Sequence, residues 1–231
     1  MKCALRLWLA GLAACAALGA CTPAQHLLLA VLPDGTIPTL LSHLERESDT
    51  NRRRVAELEQ AADWAGLVKF ADDNLAKDPN NASWWLVAGY AHSRQKNHAR
   101  AIDCFQEIVR LEPDVPDGWN FLAQEYRAAG DTQRAVTVLT RAQTVLRDSP
   151  VTLLLLGESY SDLGHYEPAA RAYRQALDID AGLTPAWAGL ARIHLKGGRM
   201  VEAERIARAV EKSNPPLAAA IRNDIKAAAR P

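Results

Sequence analysis

The chain has 231 residues, enough for one large domain or two small ones and for a substantial hydrophobic core. Lys and Arg together number 27, as do Asp and Glu, so the formal net charge is zero. This balance argues against a nucleic-acid-binding protein, in which basic residues normally exceed acidic ones along one face. Apolar residues make up 48 % of the chain, and its frequent alanines favour helices.

The N-terminal segment, 1–20, has the pattern of a signal peptide. Lys2 and Arg6 give a positive start, and an almost entirely apolar run follows over 7–20. This run is shorter than the roughly 20 apolar residues that a membrane-spanning helix needs. We therefore predict that the segment 1–20 directs export and does not belong to the fold.

The end of this segment resembles the lipobox of bacterial lipoproteins, in which signal peptidase II cuts before a cysteine that carries the lipid. The run from Leu18 to Cys21 fits that pattern, and so does the run from Leu12 to Cys15. Cys21 is the better candidate because polar residues begin directly after it. The resemblance implies a lipid anchor on Cys21, with palmitate among the attached chains. An ordinary secretory signal with chance cysteines is the alternative.

The next segment, residues 21–47, contains three prolines and no sustained period, and we predict that it is a tether. If Cys21 is lipidated and the signal removed, Cys104 is the one cysteine left, which excludes an internal disulfide. Cys104 lies next to Phe105 in a helical pattern. This position indicates packing and not a nucleophile.

The following part of the chain contains an internal repeat. The repeat has a constant length, so that position 116 aligns with position 82. Four segments align without an insertion, and we number the places in each from its first residue: Ala82, Pro116, Pro150 and Thr184. The agreeing residues are Trp85, Trp119, Leu153 and Trp187 at place four; Gly89, Ala123, Gly157 and Ala191 at place eight; Ala101, Ala135, Ala169 and Ala203 at place twenty; and Phe105, Leu139, Tyr173 and Ala207 at place twenty-four.

The spacing of these places predicts two antiparallel helices in each segment. Places four, seven, eight and eleven share one helical face, and places twenty, twenty-four and twenty-seven share another. Between them, place fifteen is Gly130, Gly164 and Gly198 in three segments, and glycine there can end a helix in the left-handed conformation. In the first segment Lys96-Asn97 stands at the turn, where asparagine tolerates that conformation. Small residues at places eight and twenty permit close approach of the two backbones.

This pattern resembles the tetratricopeptide repeat (TPR) family through Trp85, Gly89, Ala101, Phe105 and Pro113, and the resemblance covers residues 82 to about 217. It implies an all-α solenoid of antiparallel helix hairpins that binds other proteins. We predict four repeats over 82–215, a degenerate capping repeat over 48–81 and a C-terminal capping helix over 216–231. The repeat-ending proline is replaced in the middle repeats by Arg147 and Ala181.

No pattern typical of catalysis, metal binding or cofactor binding is found. His92 and His194 both stand at place eleven, which indicates a helix interface and not a zinc site. The run from Lys196 to Arg199 is the repeat turn and lacks the spacing of a phosphate-binding loop. The arginines at 52–54 are flanked by acidic residues, so we interpret them as a solvated face. We predict that the chain is not an enzyme and uses no cofactor or small-molecule substrate.

The TPR resemblance implies that the first helix of each repeat lines a concave groove, with places two, five, nine and twelve facing inward. The predicted partner-binding residues are Leu86, Tyr90, Asn120, Gln124, Arg127, Leu154, Glu158 and Arg192. Family members that grip a C-terminal carboxylate use Lys at place five and Asn at place nine. No repeat here has that pair, so the clamp is not predicted. Binding on the convex side is the alternative.

Together these features predict a lipid-anchored adaptor that faces the periplasm and holds protein partners of the cell envelope. The outer membrane is favoured because Thr22 is not the aspartate that tends to retain lipoproteins at the inner membrane. The build resembles small TPR lipoproteins that support pilus assembly, including pilotins of type IV pili and components of tight-adherence pili. One alternative is a regulator that recruits a cell-wall hydrolase or protease. Another is an enzyme with an unrecognised site.

Overall fold

A computed structural model describes residue 44, residues 47–146 and residues 148–229. These residues form eleven α-helices and no strand, which confirms the predicted all-α class. The helices are α1 (Asp49–Gln60), α2 (Trp64–Leu75), α3 (Ala82–Arg94), α4 (His98–Leu111), α5 (Pro116–Ala128), α6 (Thr132–Val145), α7 (Pro150–Asp162), α8 (Tyr166–Ile179), α9 (Thr184–Lys196), α10 (Met200–Val210) and α11 (Pro215–Ala228). The predicted signal peptide, Cys15, Cys21 and most of the predicted tether lie outside the described residues.

The helices form successive hairpins, each of which packs against the next. Helices α3, α5, α7 and α9 are the first helices of four pairs, and α4, α6, α8 and α10 are the second helices. An earlier pair, α1 and α2, precedes them, and α11 packs against both α9 and α10 at the other end. None of the described helices combines the length and apolar character that a membrane span requires.

The turn inside each pair contains one residue with a left-handed backbone. The five residues are Ala62 (φ 51°), Lys96 (φ 60°), Gly130 (φ 85°), Gly164 (φ 76°) and Gly198 (φ 70°), which stand at the same place of successive segments. The three glycines confirm the predicted role of place fifteen. In the first repeat the prediction is wrong in detail, because Lys96 adopts this conformation and Asn97 does not.

Asn97 instead caps the following helix. Its side-chain oxygen accepts a hydrogen bond from the backbone N–H of Arg100 at 3.5 Å. Asp63 and Asp131, at the equivalent positions of two other pairs, accept from Gly66 at 2.9 Å and Arg134 at 3.1 Å. Such caps satisfy N–H groups that the first turn of a helix leaves free, and they favour Asn or Asp after the left-handed residue.

Small residues bring the two helices of a pair into close contact, as predicted. The four alanines at place twenty, Ala101, Ala135, Ala169 and Ala203, have no exposed surface. A methyl group on Gly89 would lie 2.6 Å from the ring of Phe105, and one on Gly157 would lie 2.7 Å from the ring of Tyr173. Each aromatic ring therefore occupies the space that a larger residue at place eight would need.

Neighbouring pairs differ in how their first and second helices meet. The first helix α5 packs directly against α7, and α7 against α9, whereas α4 and α6 make no extensive contact, nor do α6 and α8. A stack of this kind curves with its first helices on the inner side. The inner face is therefore formed by first helices, and the second helices are spread apart on the outer face.

The tryptophans at place four fix the junctions between repeats. The indole N–H groups of Trp85, Trp119 and Trp187 donate to the carbonyl oxygens of Pro79, Pro113 and Ala181, at 2.8, 2.8 and 2.9 Å. In each case the acceptor lies upstream, in the loop that ends the preceding pair. Each tryptophan therefore packs on the helical face that the spacing predicts and also satisfies a loop carbonyl group.

Overpacking at place twenty tests the helix contact. Ala169→Leu should lower the free energy of unfolding by about 1–3 kcal/mol, because a larger side chain cannot enter a closed contact without moving a helix. Arg171→Ala, on the exposed face of the same helix, should change it by less than about 0.5 kcal/mol. Urea unfolding followed by circular dichroism measures both values. Equal shifts in the two variants would contradict the register of the repeats.

Candidate functional site

The inner face carries five of the eight predicted groove residues at its surface. Tyr90, Gln124, Arg127 and Glu158 are partly exposed, and Arg192 is exposed. They come from four successive first helices, α3, α5, α7 and α9. These five residues, which we call the inner-face row, define the candidate site.

The other three predicted groove residues are buried, so the structure does not place them at the surface of the inner face. Leu86, Asn120 and Leu154 are exposed by only 6 %, 0 % and 2 %, so a partner cannot reach them. All three stand at place five, and α5, which carries Asn120, packs there against α7, which carries Leu154. Asn120 shows the arrangement, because its side-chain oxygen accepts a hydrogen bond from the hydroxyl of Thr152 on α7 at 2.9 Å. Helical periodicity predicted which face of each first helix points inward. It could not predict that a neighbouring repeat covers part of that face.

Arg127 is the centre of an ion-pair network between two repeats. Its guanidinium group donates to Glu158 at 2.7 Å and to Asp162 at 2.7 and 3.0 Å. Burial would lower the pKa of Arg127, but the carboxylates of Glu158 and Asp162 outweigh burial and raise it. Two predicted groove residues, Arg127 and Glu158, are therefore joined to each other across the α5–α7 junction. Asp162, directly after place twelve, was not predicted.

A donor on α5 is free next to this network. The side-chain nitrogen of Gln124 has no hydrogen-bond partner among the described residues, although it is shielded from solvent. The side-chain nitrogen of Asn120, one helical turn away, is also without a partner. An unpaired buried amide nitrogen is costly, and the partly exposed side chain of Gln124 would remove that cost by turning toward a bound carbonyl or carboxylate group.

A second cluster lies at the N-terminal end of the inner face, around Tyr90. Its hydroxyl group donates to Glu59 at 3.0 Å, and its ring meets Trp64 edge to face, with centroids 5.9 Å apart. The guanidinium carbon of Arg94 lies 4.8 Å from the Trp64 ring and 5.9 Å from the Tyr90 ring. Aromatic faces attract such a cation.

Burial controls the protonation of this cluster. It raises the pKa of the Glu59 carboxyl group, against the opposing effects of Tyr90 and Arg94. It also raises the pKa of Tyr90 to about 12, and the Glu59 carboxylate adds to that shift. Tyr90 therefore remains a neutral donor at physiological pH. Glu59 was not predicted, although it stands at place twelve of the segment that begins at residue 48; extending the inward places to that segment would have found it.

Arg192 completes the row at the C-terminal end. It is exposed and makes no ion pair with any residue that the structure describes. The inner face thus presents an aromatic hydroxyl group, a free amide, a carboxylate-paired arginine and a free arginine along four repeats. Such groups bind a peptide backbone and its side chains, because they combine donors, acceptors and apolar surface.

The described residues contain no group of three His, Cys, Asp or Glu side chains that could hold a metal ion. Cys104 is buried, and burial raises the pKa of its thiol to about 12, so it is not a thiolate at neutral pH. His194 is buried on α9, and burial lowers its pKa. The burial of Cys104 and His194 agrees with their predicted packing roles.

Family comparisons match two regions of this arrangement. Tetratricopeptide repeat models match residues 70–116 and residues 164–225. These regions contain the hairpins α3–α4 and α9–α10, with their close helix contacts. The chain is a tetratricopeptide repeat protein.

Relatives of this TPR protein are distant in sequence. Superkiller complex protein 3 of Mus musculus is 26 % identical over 120 residues, which are 52 % of this chain and 8 % of that protein. Tetratricopeptide repeat protein 37 of Xenopus laevis is 26 % identical over 150 residues, or 63 % of this chain and 10 % of that protein. The chain spans about a tenth of the length of these curated relatives.

Solved TPR structures share the fold over most of the chain. The type IV pilus biogenesis factor PilW has a TM-score of 0.61 at 17 % identity and covers 78 % of this chain and 90 % of PilW. MamA gives 0.61 at 19 % identity, covering 72 % of this chain and 91 % of MamA. YrrB, described as a TPR protein with an unusual peptide-binding site, gives 0.57 at 15 % identity, covering 81 % of this chain and all of YrrB. At these identities the likeness shows the fold alone.

The Arg127 network should contribute to stability. Arg127→Ala removes charge-assisted hydrogen bonds and leaves partly buried Glu158 unpaired, so the free energy of unfolding should fall by about 1–2 kcal/mol. Arg110→Ala removes only an exposed pair with Glu107 on one helix and should cost less than about 0.5 kcal/mol. Urea titration gives both values. An Arg127 variant as stable as the Arg110 variant would contradict a bridging role.

Proposed function

We propose that this TPR protein is a non-enzymatic scaffold, lipid-anchored in a bacterial envelope at the outer membrane and facing the periplasm. It holds envelope proteins in its inner groove and supports assembly of a complex such as a pilus or a secretion system. The observation that carries the proposal is the inner-face row, in which polar and charged groups of four successive repeats line one side of the stack.

The chemistry of the row favours a peptide segment of a partner protein. Gln124 offers an unpaired N–H group, and Arg192 offers a cation without a partner carboxylate among the described residues. Glu158 and Asp162 offer carboxylates that Arg127 already neutralises. A segment that brings an acceptor to Gln124 and an acidic group to Arg192 would match both free groups.

The envelope location is supported by the N-terminal sequence, which resembles a lipoprotein signal ending at Cys21. The assembly role is supported by the shape shared with PilW, whose described function is type IV pilus biogenesis. Peptide recognition by this fold is supported by the description of YrrB. Neither likeness identifies the partner. The pilus or secretion assignment is therefore tested by identifying the proteins that contact the groove.

Photo-crosslinking from the inner face tests the groove. A benzophenone amino acid in place of Gln124 or Arg192 should form adducts with a partner protein in cells, because both side chains lie at the inner surface. The same amino acid in place of Arg171, on the outer face of α8, should not form these adducts. Mass spectrometry identifies the adducts.

Pilus or secretion components in the adducts would support the proposed assembly role. A cell-wall hydrolase or protease would support the regulatory alternative instead. Adducts from position 171 alone would move the binding surface away from the groove.

Replacement of the anchoring residue tests the location. Cys21→Ser should abolish palmitate labelling and release the chain from the membrane fraction, because two or more acyl chains are needed for stable anchoring. Cys15→Ser is the matched control and should leave labelling unchanged. Labelling that persists in Cys21→Ser and is lost in Cys15→Ser would assign the anchor to Cys15.

A further inference from the structure

The outer face contains two clefts that the inner-groove function does not use. One lies between the second helices α4 and α6 and has a volume of about 490 Å³. The other lies between α6 and α8 and has a volume of about 450 Å³. Both exist because neighbouring second helices make no extensive contact, so the first helix of the later repeat forms the floor of each cleft.

The cleft between α4 and α6, which we call the outer cleft, has apolar walls and an aromatic floor. Its lining includes Val109 and Pro113 on one side, Val138, Arg141 and Val145 on the other, and Trp119 on the floor. Trp119, Ala142 and Leu146 form a small hydrophobic cluster of their own beneath it, with Val109 and Val138 packed against that cluster. The outer cleft is therefore a preformed apolar groove.

A cation without an acidic partner lies over this floor. The guanidinium carbon of Arg141 is 5.6 Å from the ring centroid of Trp119, a residue that is only 3 % exposed. Arg141 makes no ion pair within the part of the chain that the structure describes. On the opposite wall Arg110 pairs only with partly exposed Glu107, at 2.8 Å. The cleft thus combines an apolar groove with positive charge at its edge.

Exposed apolar side chains mark the same surface. Val145 is 45 % exposed at the outer cleft, and Ile179, at the equivalent place of the next repeat, is 42 % exposed at the neighbouring cleft. These are two of the three large apolar side chains exposed among the described residues; the third is Val201 on α10. Val145 and Ile179 stand at the same place of successive repeats, and each lies at a cleft. This regular position indicates an interaction surface, because exposed apolar residues scattered at random would not recur at one place of the repeat.

We propose that the outer cleft binds an amphipathic helix of a partner protein, which has apolar residues on one face and Asp or Glu beside them. Val138 and Val145 are two helical turns apart, roughly 10 Å, which matches apolar anchors at places i, i+3 or i+4 and i+7 of a docked helix. Acidic residues beside those anchors would pair with Arg141, the free cation. The protein would then engage two partners at once, one on each face.

A peptide library displayed on phage tests this proposal with the full mature chain. Helical peptides of about 16 residues, or about four turns, should be selected with a shared pattern of apolar anchors flanked by Asp or Glu. Arg141→Glu and Val145→Glu change exposed residues and should keep the melting temperature. Each should weaken binding of a selected peptide at least about tenfold. Arg205→Glu, an equal charge reversal on exposed α10, should change binding less than about twofold.

The indole N–H signal of Trp119 reports the location in a nuclear magnetic resonance titration. A selected peptide should shift that signal, assigned by Trp119→Phe, more than the indole signal of Trp187 in the last repeat. Selection of basic or random peptides, or binding that survives Arg141→Glu, would overturn the proposal. It would also be overturned if the chain bound phosphatidylglycerol vesicles through Arg141 while no acidic helix was selected.

Discussion

The stack depends on the close approach of helices at small residues, and the contact of an aromatic ring on one helix with a glycine on another shows this most clearly. Tyr173 on α8 lies against Gly157 of its own repeat and against Gly189 of the next, where added methyl groups would lie 2.7 and 2.5 Å from the ring. One side chain therefore joins two hairpins and two repeats at once. Because consecutive repeats begin at a constant spacing in the sequence and pack in the same order, the same kind of surface recurs along the chain.

The unequal packing of first and second helices gives the two faces different chemistry. On the inner face, α5, α7 and α9 lie in contact, place five is buried in three of the four repeats, and places nine, twelve and thirteen offer polar side chains. On the outer face, the second helices are spread apart and leave apolar clefts. Polar side chains are therefore concentrated inside the curve, and apolar clefts lie outside it. The same helix geometry produces both.

The fold was predictable because its determinants lie within one repeat. Two periods of apolar residues and a glycine at place fifteen specify a hairpin, and each agrees with the structure. Ala62 and Lys96 show the limit, since non-glycine residues adopt the left-handed turn when the flanking helices impose it. The site was less predictable because its contacts join residues of different repeats. Arg127 meets Glu158 and Asp162, 31 and 35 residues later, and periodicity within one helix does not reveal such pairs.

These pairs also limit what the inner face can offer to a partner. Tyr90 reaches back 31 residues to Glu59, Ser93 reaches forward 32 residues to buried Glu125 at 2.8 Å, and Arg127 continues the series. Each bond holds two neighbouring first helices at a fixed spacing. A partner that competed for one of these groups would remove a bond between repeats, so its binding would be coupled to the curvature of the stack. Gln124 and Arg192 carry no such bond among the described residues. They can therefore bind a partner while the stack keeps its shape.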